Sequence, residues 1–208
     1  MKYNQIGRSM IEMLGVLAII AVLSVGGIAG YSKAMTKFKT NQIADQVSTT
    51  VTNIKTLYAQ QKNYAGLEDV ANSMEIISEE LGSNHTNPFG GEIKIAGTYK
   101  IFDYNNFDTA FSIVYKDLPR EACIDLVTKD WGDSSGLIAV AACSDCVMEG
   151  ELEEYTNIGC QGEIISWDGI VAIACPGGSI ISVPMSPQFA AQACNCTGNT
   201  CKVGWKYY

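Results

Sequence analysis

Eight cysteines, one histidine and one carboxylate in an apolar run are the side chains here whose chemistry could decide what the chain does. The cysteines are Cys123, Cys143, Cys146, Cys160, Cys175, Cys194, Cys196 and Cys201, and none precedes Cys123. Thiolates in such numbers either ligate a metal or pair as disulfides. Cys143-Ser-Asp-Cys146 is a lone CxxC, Cys194-Asn-Cys196 is closer still, and the single histidine, His85, stands far from both. No second CxxC with structural-zinc spacing accompanies them. An even number of cysteines confined to the region beyond an apolar segment fits disulfides in an oxidising compartment, so no metal is expected.

The carboxylate is Glu12. From Met10 to Ala29 only Glu12 and Ser24 are polar. Twenty helical residues extend roughly 30 Å, the thickness of a bilayer's hydrocarbon layer. A carboxylate near one end of such a span is costly unless paired, which makes it a functional candidate. The run is longer than the apolar region of a secretory signal, and no A-x-A-like cut site follows it, so a retained anchor is expected. Lys2 and Arg8 precede the span and Lys33, Lys37 and Lys39 follow it. Positive charge at both ends does not set the orientation. The cysteines do, placing the C-terminal part outside the cytoplasm.

Catalytic and ligand-binding classes find no support. A lone histidine offers no arguable Ser-His-Asp set, and no phosphate-binding glycine motif is present. Glu149, Glu151, Glu153 and Glu154 lack the spaced Asp/Asn and Gly of a calcium loop. Neither an enzyme nor a cofactor is expected. Residues 66–208 carry 20 acidic against 7 basic residues, whereas residues 31–65 carry five lysines and one aspartate. An acidic head on a basic stem would repel a phosphate backbone, which argues against nucleic acid as the main ligand.

These residues need elements to hold them. Beyond Tyr31 the pattern turns amphipathic, with Ile43, Val47, Val51, Ile54 and Tyr58 at steps of four, four, three and four. That spacing predicts one helix from about Ser9 to about Tyr64, with Gly66 as its stop. Gly15, Gly26, Gly27 and Gly30 fall inside it, each unfavourable by up to about 1 kcal/mol relative to alanine. They suit either close helix packing or a weak point that unwinds during assembly. A short helical segment is expected within residues 67–82, then a loop at residues 83–88. Strands are predicted at residues 92–95, 99–102, 109–115, 137–142, 163–167, 170–174 and 180–183. A short helix spans 118–127 with Pro119 in its first turn.

A leader ending in Gly7, a glutamate five residues on, and an apolar helix that becomes amphipathic together resemble a type IV prepilin or its relative, a type II secretion pseudopilin. Asn87-Pro88-Phe89-Gly90-Gly91-Glu92-Ile93 is similar to the loop that leads pilins into their sheet. Leu118-Pro119 through Cys123-Ile124-Asp125-Leu126 resembles the short helix bearing the first cysteine of the type IVb branch. There the partner cysteine lies near the C-terminus, a role open to Cys194, Cys196 or Cys201, with Cys194 in the matching place.

The resemblance implies an α+β fold, the type IV pilin fold: a long N-terminal helix packed on an antiparallel sheet, with a disulfide-bonded C-terminal region. It divides the chain into a leader (1–7), a transmembrane and assembly half-helix (8–30), an amphipathic half-helix (31–65) and a globular head (66–208). It implies cleavage after Gly7, N-methylation of Arg8, and neutralisation of a neighbouring subunit's N-terminal amine by Glu12. The implied partners are identical or related pilin subunits, a prepilin peptidase, inner-membrane assembly machinery and, before assembly, membrane lipid. The implied location is the inner membrane first and an extracellular filament afterwards. A pseudopilin or minor pilin, and a monomeric anchored receptor domain, are the competing readings.

Overall fold

The computed structural model describes residues 10–61, 63–73, 76, 85–98, 109–132, 136–143, 164–167, 170–175, 179–181 and 184–208. Side chains at 72–73, 98, 138–139, 143 and throughout the three strands between residues 164 and 181 are outside that description. So are the expected strand at 99–102, the glutamates of residues 149–154, Gly7, Arg8, Cys146 and Cys160.

Helix α1 runs Met10–Leu57 without interruption, through all four of its glycines. Contacts divide the chain into two compact units, Met1–Phe38 and Lys39–Tyr208. In the first unit the side chains of α1 are exposed or half-buried. In the second, the predicted stripe is the buried face: Ile43, Val47, Val51, Ile54 and Tyr58 are all buried.

The helix ends at Leu57, earlier than the Tyr64 its periodicity predicts. Tyr58 explains this, because its ring packs against Tyr64 at 5.4 Å and its hydroxyl donates to the Ala65 carbonyl. Both contacts need the chain to turn back on itself after Leu57. Gly66 is therefore no stop for α1. It sits at φ +73°, which favours glycine, and its carbonyl accepts from Val70 N in the first turn of α2, Leu67–Ser73.

The head's main sheet has strands β1 (Ile93–Thr98), β2 (Ala110–Leu118), β7 (Cys201–Tyr207) and β3 (Leu137–Cys143), in that spatial order and antiparallel throughout. A second antiparallel sheet orders β4 (Ile164–Trp167), β5 (Ile170–Cys175) and β6 (Ser179–Ile181). The C-terminal strand thus lies inside the main sheet. Its register sets Tyr207 opposite Phe111, Trp205 opposite Ile113 and Val203 opposite Tyr115. Because side chains alternate along a strand, these six share one face. All six are buried, in one core with the stripe of α1. Trp205 is the hub, edge-on to Tyr115 at 5.5 Å and to Trp131 at 5.2 Å.

Two short helices close the head. In α3, Arg120–Val127, the predicted start moves inward: Pro119 is extended at φ −68° and ψ 151° and precedes the helix. Ala122, Cys123, Leu126 and Val127 form its buried face. Helix α4, Pro187–Ala193, starts on a proline behind extended Ser186. Proline lacks an N–H and has its φ already fixed, so it suits a first turn.

Candidate assembly interface and its supporting head

Between Met10 and Ile28, α1 presents Met10, Ile11, Leu14, Leu17, Ile20, Leu23 and other large apolar side chains, each at least half exposed. The segment is long and apolar enough to cross a membrane, and no part of that window is buried within the chain. A cylinder greasy on all sides must be covered by lipid or by other helices. Ser24 turns its hydroxyl back to the Ile20 carbonyl at 2.7 Å, so it satisfies itself within the helix. Glu12 is left as the one charge of that surface. It stands in the first described turn of α1. A Cβ built on Gly15, Gly26, Gly27 or Gly30 would meet nothing in this chain, so none of the four is required by the subunit's own packing.

The loop into the sheet is organised by one side chain. Asn87 donates its Nδ2 to the Lys116 carbonyl at 2.7 Å, while its Oδ1 accepts from Phe89 N at 2.8 Å and Gly91 N at 3.3 Å. Asn87 N also donates to the Gly91 carbonyl, and Gly90 N to the Asn87 carbonyl. Gly91 lies so close to β2 that a Cβ there would collide with the Lys116 carbonyl. Lys39 of α1 holds its ammonium 5.3 Å from the Phe89 ring centroid, tying the loop to the helix. His85 donates Nε2–H to the Ala71 carbonyl at 2.6 Å, fastening the start of the loop to α2. The chain's single imidazole thus serves the fold.

At the same end of the sheet, where Leu118 pairs with Cys201, Cys123 of α3 is bonded to Cys194, the residue after α4, and Cys196 to Cys201 at the start of β7. The Cα–Cα separations, 5.9 and 5.5 Å, are ordinary for disulfides. The side chains of Cys143, Cys146, Cys160 and Cys175 lie outside the described residues. Lys55 of α1 reaches over the rings of Tyr207 and Tyr208, at 5.9 and 5.7 Å.

Helix, loop, central C-terminal strand and cystine closure together form an α+β head that follows an apolar anchor. A model of the Bundlin family matches residues 32–156 of this sequence. The chain belongs to the Bundlin family of type IV pilins.

Two relatives match along nearly the whole chain. They are the major structural subunits of bundle-forming pili from Escherichia coli O111:H- and from Escherichia coli O127:H6 (strain E2348/69 / EPEC). Each is 27% identical over 207 residues, covering 97% of this chain and 93% of the relative. The fold is also that of TcpA, a type IV pilin from Vibrio cholerae El Tor biotype. That match has a TM-score of 0.52 at 16% identity and covers 82% of this chain and 99% of that one.

The chain is accordingly a structural pilin subunit, which forms a filament through its hydrophobic N-terminal helix, and bundlins are not enzymes. Among the described residues one helix, near the N-terminus, is long and apolar enough to cross a membrane, and, with the disulfide-bonded domain that follows, it is consistent with the topology of an inner-membrane pilin before assembly. Four features of the head are not read from the sequence: the hub role of Trp205, the bond from Asn87 to the Lys116 carbonyl, helix α4, and strand β7 itself. Only β7 carried a clear signal there, the alternation of Val203, Trp205 and Tyr207 with Lys202, Gly204 and Lys206.

Proposed function

We propose that this chain is made as a prepilin, cut by a prepilin peptidase between Gly7 and Arg8, methylated on the new Arg8 amine, and assembled as the major subunit of a type IV pilus. The major-subunit role is carried over from the two E. coli relatives. The observation that carries the reading is the fully uncovered apolar surface of α1 with Glu12 as its only charge. Side-by-side packing of such helices buries each N-terminal amine. An unpaired buried charge costs several kcal/mol, and a carboxylate within reach offsets much of that.

Glu12 then sets the stagger between subunits, because the pair forms only when one helix is displaced along the other. Before assembly the same surface rests in inner-membrane lipid, and the assembly machinery of that membrane extracts it. Gly26 and Gly27 give the rod a place to yield during that transfer. The amphipathic half, with its stripe locked into the head, leaves the acidic domain on the filament's outer surface.

Intact mass of the mature chain from sheared surface material tests this. The expected mass lacks residues 1–7 and includes one added methyl group. A chain recovered from filaments with Met1–Gly7 still attached contradicts it.

A further inference from the structure

Four cysteines converge at one point of the head, brought there by three elements. The Sγ atoms of Cys123 on α3, Cys194 after α4 and Cys201 at the start of β7 all lie within 4.8 Å of one another. Since Cys123 is bonded to Cys194 and Cys196 to Cys201, a sulfur of one bridge neighbours both sulfurs of the other. Cys196 completes the set, with its Sγ 3.6 Å from the Cys194 carbonyl oxygen. It is also the least covered of the four, 8% exposed where the other three are at 0%.

Stapling does not require this. Two bridges placed apart would each constrain the unfolded chain as well as two placed together. Adjacent bridges add a route: a thiolate released from one can attack the other with little movement of the chain, because exchange runs by attack of a thiolate on a disulfide sulfur.

We propose that Cys123, Cys194, Cys196 and Cys201 form a thiol–disulfide exchange centre whose co-reactant is a small thiol of the glutathione or free-cysteine class. The small thiolate attacks Cys196 Sγ, on the least covered residue of the four. The Cys196–Cys201 bond breaks, its electron pair leaves on Cys201, and Cys196 carries a mixed disulfide. The Cys201 thiolate attacks Cys123 Sγ, forming Cys123–Cys201 and releasing Cys194 as a thiolate. Cys194 attacks Cys196 Sγ, forming Cys194–Cys196 and expelling the small thiolate, which takes back its proton. Two protein disulfides stand at the beginning and at the end, so nothing is oxidised or reduced overall and the small thiol is regenerated. The product ties α3 directly to the central strand β7 instead of to the end of α4. A head of this kind answers thiols by moving its staples, not by losing them.

The test uses the full chain in detergent with its disulfides intact. It is incubated with reduced glutathione, quenched in acid, alkylated and mapped by peptide mass spectrometry. Cys123–Cys201 and Cys194–Cys196 peptides are expected beside the native pair, at unchanged intact mass. The proposal is overturned by native linkages alone, or by a stable adduct on Cys196 with Cys123–Cys194 untouched. Scrambling that draws in Cys143, Cys146, Cys160 or Cys175 also overturns it, because that reports opening of the whole head. Cys196→Ser provides a second arm without added thiol. It leaves Cys201 free inside the cluster, and Cys201 is expected in linkage with Cys123 or Cys194. Complete alkylation of Cys201 with Cys123–Cys194 intact contradicts the exchange.

Discussion

Asn87 and Lys116, 29 residues apart, are joined by a 2.7 Å hydrogen bond from the asparagine amide to the lysine carbonyl, and this bond anchors the loop that feeds β1 to the end of β2. Asn87 is buried, at 4% exposure, and makes two further side-chain bonds within the loop. Its truncation strands three backbone groups. Asn87→Ala is expected to destabilise the head by about 1–3 kcal/mol, the range for leaving buried polar groups unsatisfied. The denaturant midpoint, followed by tryptophan fluorescence, reads this directly.

Gly91 and Gly90 give a paired comparison beside it. An alanine at Gly90 meets open space but must hold φ +91°, whereas one at Gly91 strikes the Lys116 backbone. Gly91→Ala is expected to be the more destabilising, because neither side of the contact is a flexible side-chain end. Equal midpoints for the two variants would show that the loop relaxes away from β2.

Trp205 is fully buried between Tyr115 and Trp131. Trp205→Ala is expected to cost about 3–5 kcal/mol, the usual range for emptying a large aromatic site. A loss well under about 1 kcal/mol in the same unfolding measurement would mean that β7 is not the central strand of the packed sheet.

The two described disulfides should differ in worth. Cys123–Cys194 spans 71 residues and Cys196–Cys201 spans five. Loop-closure entropy gives roughly 4 kcal/mol for the first and roughly 2 for the second. Paired alanine variants, Cys123→Ala with Cys194→Ala and Cys196→Ala with Cys201→Ala, leave no stray thiol and are expected to rank in that order by thermal unfolding.

Stability should bend at both ends of the pH scale. The hydrogen bond from Lys116 Nζ to Glu92, with the lysine charges nearby, holds the Glu92 carboxyl below its ordinary value of 4.5. A depressed folded pKa contributes stability that is present above 4.5 and lost as pH falls through the folded value. Glu92→Gln should therefore trail the parent slightly at neutral pH and match it in acid, the gap being small because the Glu92 side chain is 54% exposed. Burial raises Tyr115 and Tyr207 above the ordinary phenol value of 10.0. Stability from keeping these phenols neutral is present below 10.0 and lost as pH rises from there through the folded value. Tyr207→Phe should flatten part of that alkaline decline.

Much of this molecule was legible in its residues, for reasons that also explain what was not. The stripe from Ile43 to Tyr58 is read at once because a helix buries every third or fourth residue. The end of α1 was misplaced because the polar residues after Leu57 still suit a helix, and only the tertiary contacts of Tyr58 with Tyr64 and Ala65 turn the chain. The three cysteines near the C-terminus point to covalent closure, and the strand they introduce shows only in the alternation of Val203, Trp205 and Tyr207 with Lys202, Gly204 and Lys206. Asn87 had the composition of a turn, but its bond to Lys116 depends on a strand brought from afar. Glu12 was legible for the opposite reason: one charge among greasy residues is conspicuous without any structure.

Filament yield from a Glu12→Ala variant tests the central claim most directly, counted by electron microscopy of sheared cell surfaces beside a membrane-fraction immunoblot. The account predicts that the variant reaches the membrane in normal amount. Filaments should fall by more than about tenfold, since even about 1.4 kcal/mol at each subunit contact is a factor of ten. Parental numbers of filaments built from the substituted chain would contradict it.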